Sequence, residues 1–305
     1  MDIRIATRKS ELALWQAKHV AALLNDLPEI NKVTLVPLST KGDQILDTSL
    51  QKIGGKGLFI KELEVAMTED RADIAVHSMK DIPVVVPTGF CIAATLKRES
   101  PFDALISKNN QCLLELPKGS IIGSSSLRRQ AQILNIRPDI KVKDLRGNVN
   151  TRIDKLDSGE YDAIVLAYAG LKRLGLSERI SQTFLPEDMV PAAAQGVIGI
   201  ECQSEKSELI AILAQLNNKI SELTTSAERS VNKDLQATCQ SPIGTYAIIQ
   251  KDKCIIESIV ASPDGSKIIR ESIEGHKKET KTLGARLAAR LIKNGADEIL
   301  NKNSL

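Results

Sequence analysis

The chain has 305 residues, 42% of them hydrophobic and 26% charged, enough to bury the cores of two or three domains of ordinary size. Its net charge of +3 is the small difference between 41 basic and 38 acidic residues, with 3% aromatics and no long basic run, so a general nucleic-acid binder is poorly supported. No stretch approaches a membrane span and the opening MDIRIATRKS holds no apolar signal core, so neither a membrane nor a nucleic-acid partner is expected and the cytoplasm is the default compartment.

In chain order, Ile3 to Ala6 reads as a strand, followed by a helix carrying Leu12, Trp15, Val20 and Leu23. Val33 to Leu38 is a second strand, Leu58 to Thr68 a helix, and Asp73 to Val76 a third strand. A similar series follows: a strand over 120–123, a helix over 126–135, a strand over 141–145, a helix over 148–157 and a buried strand from Asp162 to Ala167. Alternation of this kind predicts two α/β lobes. The last 85 or so residues change character. A helix is expected to open at Thr225-Ser226-Ala227-Glu228, which has capping-box spacing. Two β runs flank the turn Pro263-Asp264-Gly265, and a terminal helix marked by Leu283, Leu287 and Leu291 stops at Asn294-Gly295. This predicts a small α+β domain.

Both lobes show one local device, a short strand, a small polar turn, arginine and a helix start. It is IATRKS with Arg8 and Ser10 in the first lobe, and GSSSLRRQ with Ser124, Ser125, Ser126, Arg128 and Arg129 in the second. Helix N-termini and arginine forks suit carboxylates or phosphates, although a capped helix with solvated arginines explains either device alone. Arg146, Arg152, Lys172 and Arg173 add cations near further strand ends, where open α/β sheets face their ligand crevice. A polyanionic ligand would account for the number. Phosphate is the less attractive anion, because IGGKGLF lacks the Lys-Ser/Thr of a P-loop and no GxGxxG occurs; this glycine-rich stretch with Lys56 reads as a mobile loop or lid. Lys80 and Asp81 follow the strand Asp73 to Val76, where a carboxylate serves in acid/base chemistry or stabilises a cation, or is an ordinary surface pair. Cys91, Cys112, Cys202, Cys239 and Cys254 form no CxxC pair, which disfavours zinc and a disulfide framework and leaves free thiols. Cys239 differs from the others in lying in a loop, LQATCQSPIG, between a helix and a strand. His19, His77 and His276 are isolated and suggest no metal site.

The blocks IATRKSELALWQA, KGLFIKELE, AVHSMKDIP, GSSSLRRQAQ, LRGNVNTR, YAGLKRLGL, AAQGVIGIE and the Cys239 loop, in that order, resemble the porphobilinogen deaminase (hydroxymethylbilane synthase) family along essentially the whole chain. The resemblance implies two α/β lobes like the paired domains of periplasmic-type binding proteins with a cleft between them, plus a small C-terminal α+β domain. Its expected divisions are 1–96 with 197–215, 97–196, and 216–305. It implies a transferase of tetrapyrrole biosynthesis, working as a cytoplasmic monomer. Four porphobilinogen units are condensed head to tail with loss of ammonia on a dipyrromethane cofactor, which is held as a thioether at the position of Cys239. The catalytic aspartate falls on Asp81. Positions that bind the carboxylates of cofactor, substrate and oligopyrrole intermediates fall on Arg8, Ser10, Lys80, Ser126, Arg128, Arg129, Arg146, Arg152 and Arg173. The chain departs from the family where small residues, usually glycines, precede the cysteine: Ala237 and Thr238 stand there, with Ser241 before Pro242, and Ala194 replaces a common glycine. A two-lobed polyanion-binding module and a catalytically weakened relative are the competing readings. The loop around Cys239 is expected to adopt negative φ values, so that neither Ala237 nor Thr238 needs a left-handed one.

Overall fold

The computed structural model describes residues 1–40, 60–238 and 240–302. The chain divides into two compact units, Met1–Glu99 with Val197–Glu222, and Ser100–Gly196 with Leu223–Leu305. In chain order the first unit begins with β1 (Asp2–Arg8), α1 (Glu11–Asn25), β2 (Lys32–Leu38), α2 (Lys61–Thr68), β3 (Ile74–Ser78) and β4 (Phe90–Thr95). The second contributes β5 (Asp103–Ser107), β6 (Ile121–Gly123), α3 (Leu127–Ile136), β7 (Lys141–Lys143), α4 (Val149–Asp157), β8 (Ala163–Ala167), α5 (Tyr168–Arg173) and β9 (Gln182–Thr183). Next come β10 (Ile198–Gln203) and α6 (Ser207–Leu213) of the first unit, then α7 (Lys219–Asp234). The chain finishes with β11 (Ile243–Gln250), β12 (Lys253–Ala261), β13 (Ile268–His276), α8 (Thr280–Lys293) and α9 (Ala296–Lys302).

The first lobe is a five-stranded sheet ordered β2-β1-β3-β10-β4, in which β1 pairs in parallel with β2 and β3 while β10 runs antiparallel to β3 and β4. The pleat sorts its side chains by parity. Ile3, Ile5, Ile74, Val76, Ile198 and Ile200 pack on one face against Ala17, Val20 and Leu24 of α1 and Leu209, Ile212 and Leu213 of α6. The alternate residues Ala6 and Ala75 face Leu63, Ala66 and Met67 of α2. Ser10 caps α1 by accepting from the Ala13 amide at 3.4 Å.

The second lobe repeats the plan, with order β7-β6-β8-β5-β9, β6 parallel to β7 and β8, and β5 antiparallel to β8 and β9. In each lobe an antiparallel strand lies beside the parallel set, β10 next to β3 in the first and β5 next to β8 in the second. The sequence reading anticipated the parallel strands of both lobes but placed no strand at 103–107, where a charged residue opens the run.

The C-terminal domain is an antiparallel meander, β11-β12-β13, covered by α7, α8 and α9. Its core joins Ala227 and Val231 of α7, Ile256 and Val260 of β12, and Leu283, Leu287 and Leu291 of α8. The expected helix start at Thr225 is corrected: α7 begins at Lys219, where Asn218 accepts from the Ser221 amide at 3.0 Å and supplies the cap. Thr225 to Glu228 therefore lies inside the helix, and the Glu228 carboxylate is used elsewhere.

This domain is seated on the second lobe. Asn135 of α3 donates to the Gly265 carbonyl at 3.0 Å, and Arg270 donates to the carbonyls of Glu187 and Pro186, each at 2.8 Å. The turn Pro263-Asp264-Gly265 approaches α3 so closely that a Cβ on Gly265 would meet the Asn135 amide nitrogen at 2.7 Å, at a φ of +71°. Only glycine fits both conditions.

Candidate active site

In the first lobe the candidate residues leave the sheet at the carboxyl ends of two neighbouring parallel strands. Arg8 closes β1 and is half-buried; Ser10 follows as the cap of α1. Strand β3 ends at Ser78, whose hydroxyl accepts from buried Gln16 at 2.8 Å, and a single 3-10 turn, Met79–Asp81, follows. Met79 is buried and its amide donates to the Val197 carbonyl at 2.9 Å; Ile82 is buried and closes the turn onto the Met79 carbonyl at 3.3 Å. Those two apolar anchors force the residues between them outward. Lys80 is half-buried and Asp81 exposed. Among the described residues the Asp81 carboxylate makes no hydrogen bond or ion pair.

Behind this turn lies a buried pair on which sequence reasoning assigned no role. His77 Nε2 of β3 and Glu201 Oε2 of β10 are 2.9 Å apart, and Glu201 is fully buried. Burial, and then the nearby Glu201, push the Glu64 carboxyl of α2 above its usual range.

In the second lobe the candidates again gather at the carboxyl ends of parallel strands, β6, β7 and β8. Ser126 precedes α3 without using its hydroxyl as a cap. Arg146 lies in the loop after β7, half-buried, with no side-chain partner among the described residues. Arg152 Nε donates to the Gly147 carbonyl at 2.8 Å, and Arg173 Nη2 donates to the Gly196 carbonyl at 2.7 Å.

Arg128 and Arg129 have another setting. They are 4% and 6% exposed and converge on Asp103 of β5, which is fully buried. Arg128 Nη1 reaches one Asp103 oxygen at 2.6 Å and the Val190 carbonyl at 2.9 Å; Arg129 Nη2 reaches the other oxygen at 2.7 Å, and its Nη1 the Val165 carbonyl at 3.0 Å. Gln195 donates to the same carboxylate at 3.1 Å. Burial would raise the Asp103 carboxyl, but the two guanidinium groups outweigh it and hold the group far below the usual carboxylate range. The same burial, reinforced by Arg128, lowers Arg129. Asp103 was invisible to sequence reasoning; the signal, an acid at the head of the apolar run Ala104-Leu105-Ile106, was present but ordinary.

The segment that follows is held in the same way. Fully buried Glu228 accepts from the Ala194 amide at 2.5 Å and the Ala247 amide at 2.8 Å. Ala194 has a φ of +60°, so the alanine occupies a left-handed position that favours glycine.

Cys239 and Lys56 lie outside the described residues. Beside Cys239, the Ser241 amide donates to the Thr238 carbonyl and the Thr238 amide to the Ser241 hydroxyl, both at 3.0 Å. Gln236 of the same loop is left-handed, at φ +52°, against the expectation of negative φ values there, while Ala237 and Thr238 are not among the left-handed described residues. The remaining thiols behave as anticipated. Burial, then proximity to Cys91 at 3.8 Å, pushes Cys202 up to about 12, and burial pushes Cys254 up to about 11. Among the described residues no group of acids, cysteines and histidines could hold a metal ion, and no helix is long and apolar enough to cross a membrane.

In the second lobe, Arg146 presents a guanidinium with no side-chain partner among the described residues, a setting that suits a carboxylate. Among solved structures, the chain is similar to the methionine binding protein MetQ, at 13% identity over 70% of this chain and 89% of that one, with a TM-score of 0.46. It is also similar to the periplasmic aliphatic sulphonate binding protein SsuA from Escherichia coli, at 12% identity over 96% and 87% of the two chains, with a TM-score of 0.43. Sequence models of porphobilinogen deaminase match in two parts: its dipyrromethane cofactor binding domain at residues 3–211 and its C-terminal domain at residues 222–293. With nearly its whole length accounted for by these two matches, the chain belongs to the porphobilinogen deaminase family, transferases of tetrapyrrole synthesis that use a dipyrromethane cofactor.

Proposed function

We propose that the chain joins four porphobilinogen molecules head to tail, releases one ammonia at each addition, and frees linear hydroxymethylbilane from a dipyrromethane primer carried on Cys239. On this reading the domains are 1–96 with 197–215, 97–196 and 216–305, and the enzyme works as a cytoplasmic monomer. When bound, the dipyrromethane supplies the pyrrole end to which the next unit is added.

The residues divide the remaining work. Asp81 stabilises the positive charge left on porphobilinogen as ammonia departs and takes up the pyrrole proton. Arg8, Lys80, Arg146, Arg152 and Arg173 bind acetate and propionate groups, with Ser10 and Ser126 adding hydrogen bonds at the helix starts. Arg128 and Arg129 share one protein carboxylate between two cations, so their excess positive charge is available to a ligand.

The observation that carries this reading is the setting of Asp81: an exposed carboxylate without a side-chain partner among the described residues, on a turn locked from beneath by Met79 and Ile82. A fixed charge costs no reorganisation when the substrate cation forms. Asp81→Asn should fold, carry the cofactor and lose roughly 10²–10³ in turnover; product formation at the parent rate would overturn the assignment. The intact mass of the purified chain should exceed its sequence mass by one dipyrrole, and Cys239→Ser should lack that increment. A bare mass in the parent after incubation with porphobilinogen would overturn the primer reading.

A further inference from the structure

The backbone on both sides of Arg146 is tied down by side chains from elsewhere in the second lobe. The parallel ladder of β6 and β7 ends with the Ser124 amide on the Lys143 carbonyl at 2.9 Å. Beyond that point a side chain continues it: Ser125 Oγ donates to the Leu145 carbonyl at 2.9 Å and accepts from the Leu145 amide at 3.1 Å. One hydroxyl thereby satisfies both backbone groups of a single residue. The Tyr161 hydroxyl donates to the Asp144 carbonyl at 2.5 Å, and the Leu145 side chain is fully buried. On the far side Arg152 holds the Gly147 carbonyl, and Asn148 caps α4 by accepting from the Thr151 amide at 2.9 Å.

We propose that Ser125 and Tyr161 are positioning residues that aim Arg146 at a ligand carboxylate, an assignment that rests on the reading of Arg146 given above. Here the fastened loop presents a cation whose side chain makes no hydrogen bond or ion pair among the described residues. Fixing its backbone removes part of the ordering cost of binding and places the fork before the ligand arrives.

The test is a double-mutant cycle on the full-length protein, read by porphobilinogen KM and kcat and by the fraction of chains that acquire the dipyrrole mass in a limited incubation. Arg146→Ala should impair both readouts. Ser125→Ala should raise KM about tenfold, as expected for the loss of two ordinary hydrogen bonds, with kcat little changed. Ser125→Thr, which keeps the hydroxyl, should restore parent-like values, and Tyr161→Phe should give a smaller shift in the same direction. In the Arg146→Ala background, Ser125→Ala should add nothing. If Arg146→Ala is impaired but Ser125→Ala costs the same factor in both backgrounds, the positioning role is overturned. If Arg146→Ala matches the parent in both readouts, the carboxylate role of Arg146 itself falls.

Discussion

The turn after β3 and the turn after β6 each leave the carboxyl end of an interior parallel strand, yet they treat their charges in opposite ways. After β3, two apolar residues sink and Asp81 is turned out to solvent. After β6, Arg128 and Arg129 are drawn inward and bound to Asp103, contributed by a strand more than twenty residues earlier. Proximity to a strand end therefore does not decide whether a charge stands exposed or is paired inside the protein. The antiparallel strand of each sheet also brings a different partner. In the first lobe β10 brings Glu201, which pairs with His77 inside the sheet; in the second, β5 brings an acid that reaches the arginines.

Removing the Asp103 charge should give the largest effect. Asp103→Asn leaves two buried guanidinium groups against a neutral amide and should cost about 3–5 kcal/mol in urea unfolding. Because this carboxyl titrates below its unfolded value, its stabilisation is fully present above about pH 4 and is lost as the pH falls below that. A stability unchanged from the parent at pH 7 would erase the contrast between the two turns. Next in size, lysine at 128 or 129 should cost about 1–3 kcal/mol, since an ammonium cannot reproduce the fork on Asp103, whereas Arg146→Lys should leave stability within about 0.5 kcal/mol and act only on ligand binding. Equal stability losses at all three positions would mean that Arg146 is as structural as the other two.

Ala194→Gly should stabilise the chain by about 0.5–1 kcal/mol, the relief of left-handed strain less the added backbone entropy. The smallest effect belongs to Glu64, whose raised carboxyl disfavours the charged form in the folded state. Glu64→Gln should match the parent below about pH 4.5 and become the more stable of the two as the pH rises through neutrality in unfolding titrations. Coincident curves across that range would remove Glu64 from the His77 and Glu201 group.

The elements whose apolar residues form a short bounded run or recur at a helical period were readable from sequence, because those patterns are local. The parallel strands of both lobes and α8, with Leu283, Leu287 and Leu291, are of this kind. The start of α7 was misplaced because Thr225 to Glu228 has the composition of a cap, while the real cap, Asn218, lacks the acidic partner that completes the pattern. Site positions were readable as strand-end residues, but their partners were not: Asp103 meets Arg128 only through a strand insertion, and Ser125 meets Leu145 only once β6 and β7 are paired. Such contacts depend on the folded topology, for which one sequence carries no local signal.

The close seat of Gly265 on α3 has a consequence for how the molecule comes apart. The two family matches divide the chain near residue 212, placing both lobes in one segment and the C-terminal domain in the other. The packed unit is drawn differently, with Ser100–Gly196 and Leu223–Leu305 together. A helix of the second lobe thus has part of its surface completed by a turn from the C-terminal domain, and the carbonyls of Glu187 and Pro186 depend on Arg270 for partners. The second lobe and the C-terminal domain should therefore lose their amide protection in a single cooperative step, although evolution's sequence boundary runs between them.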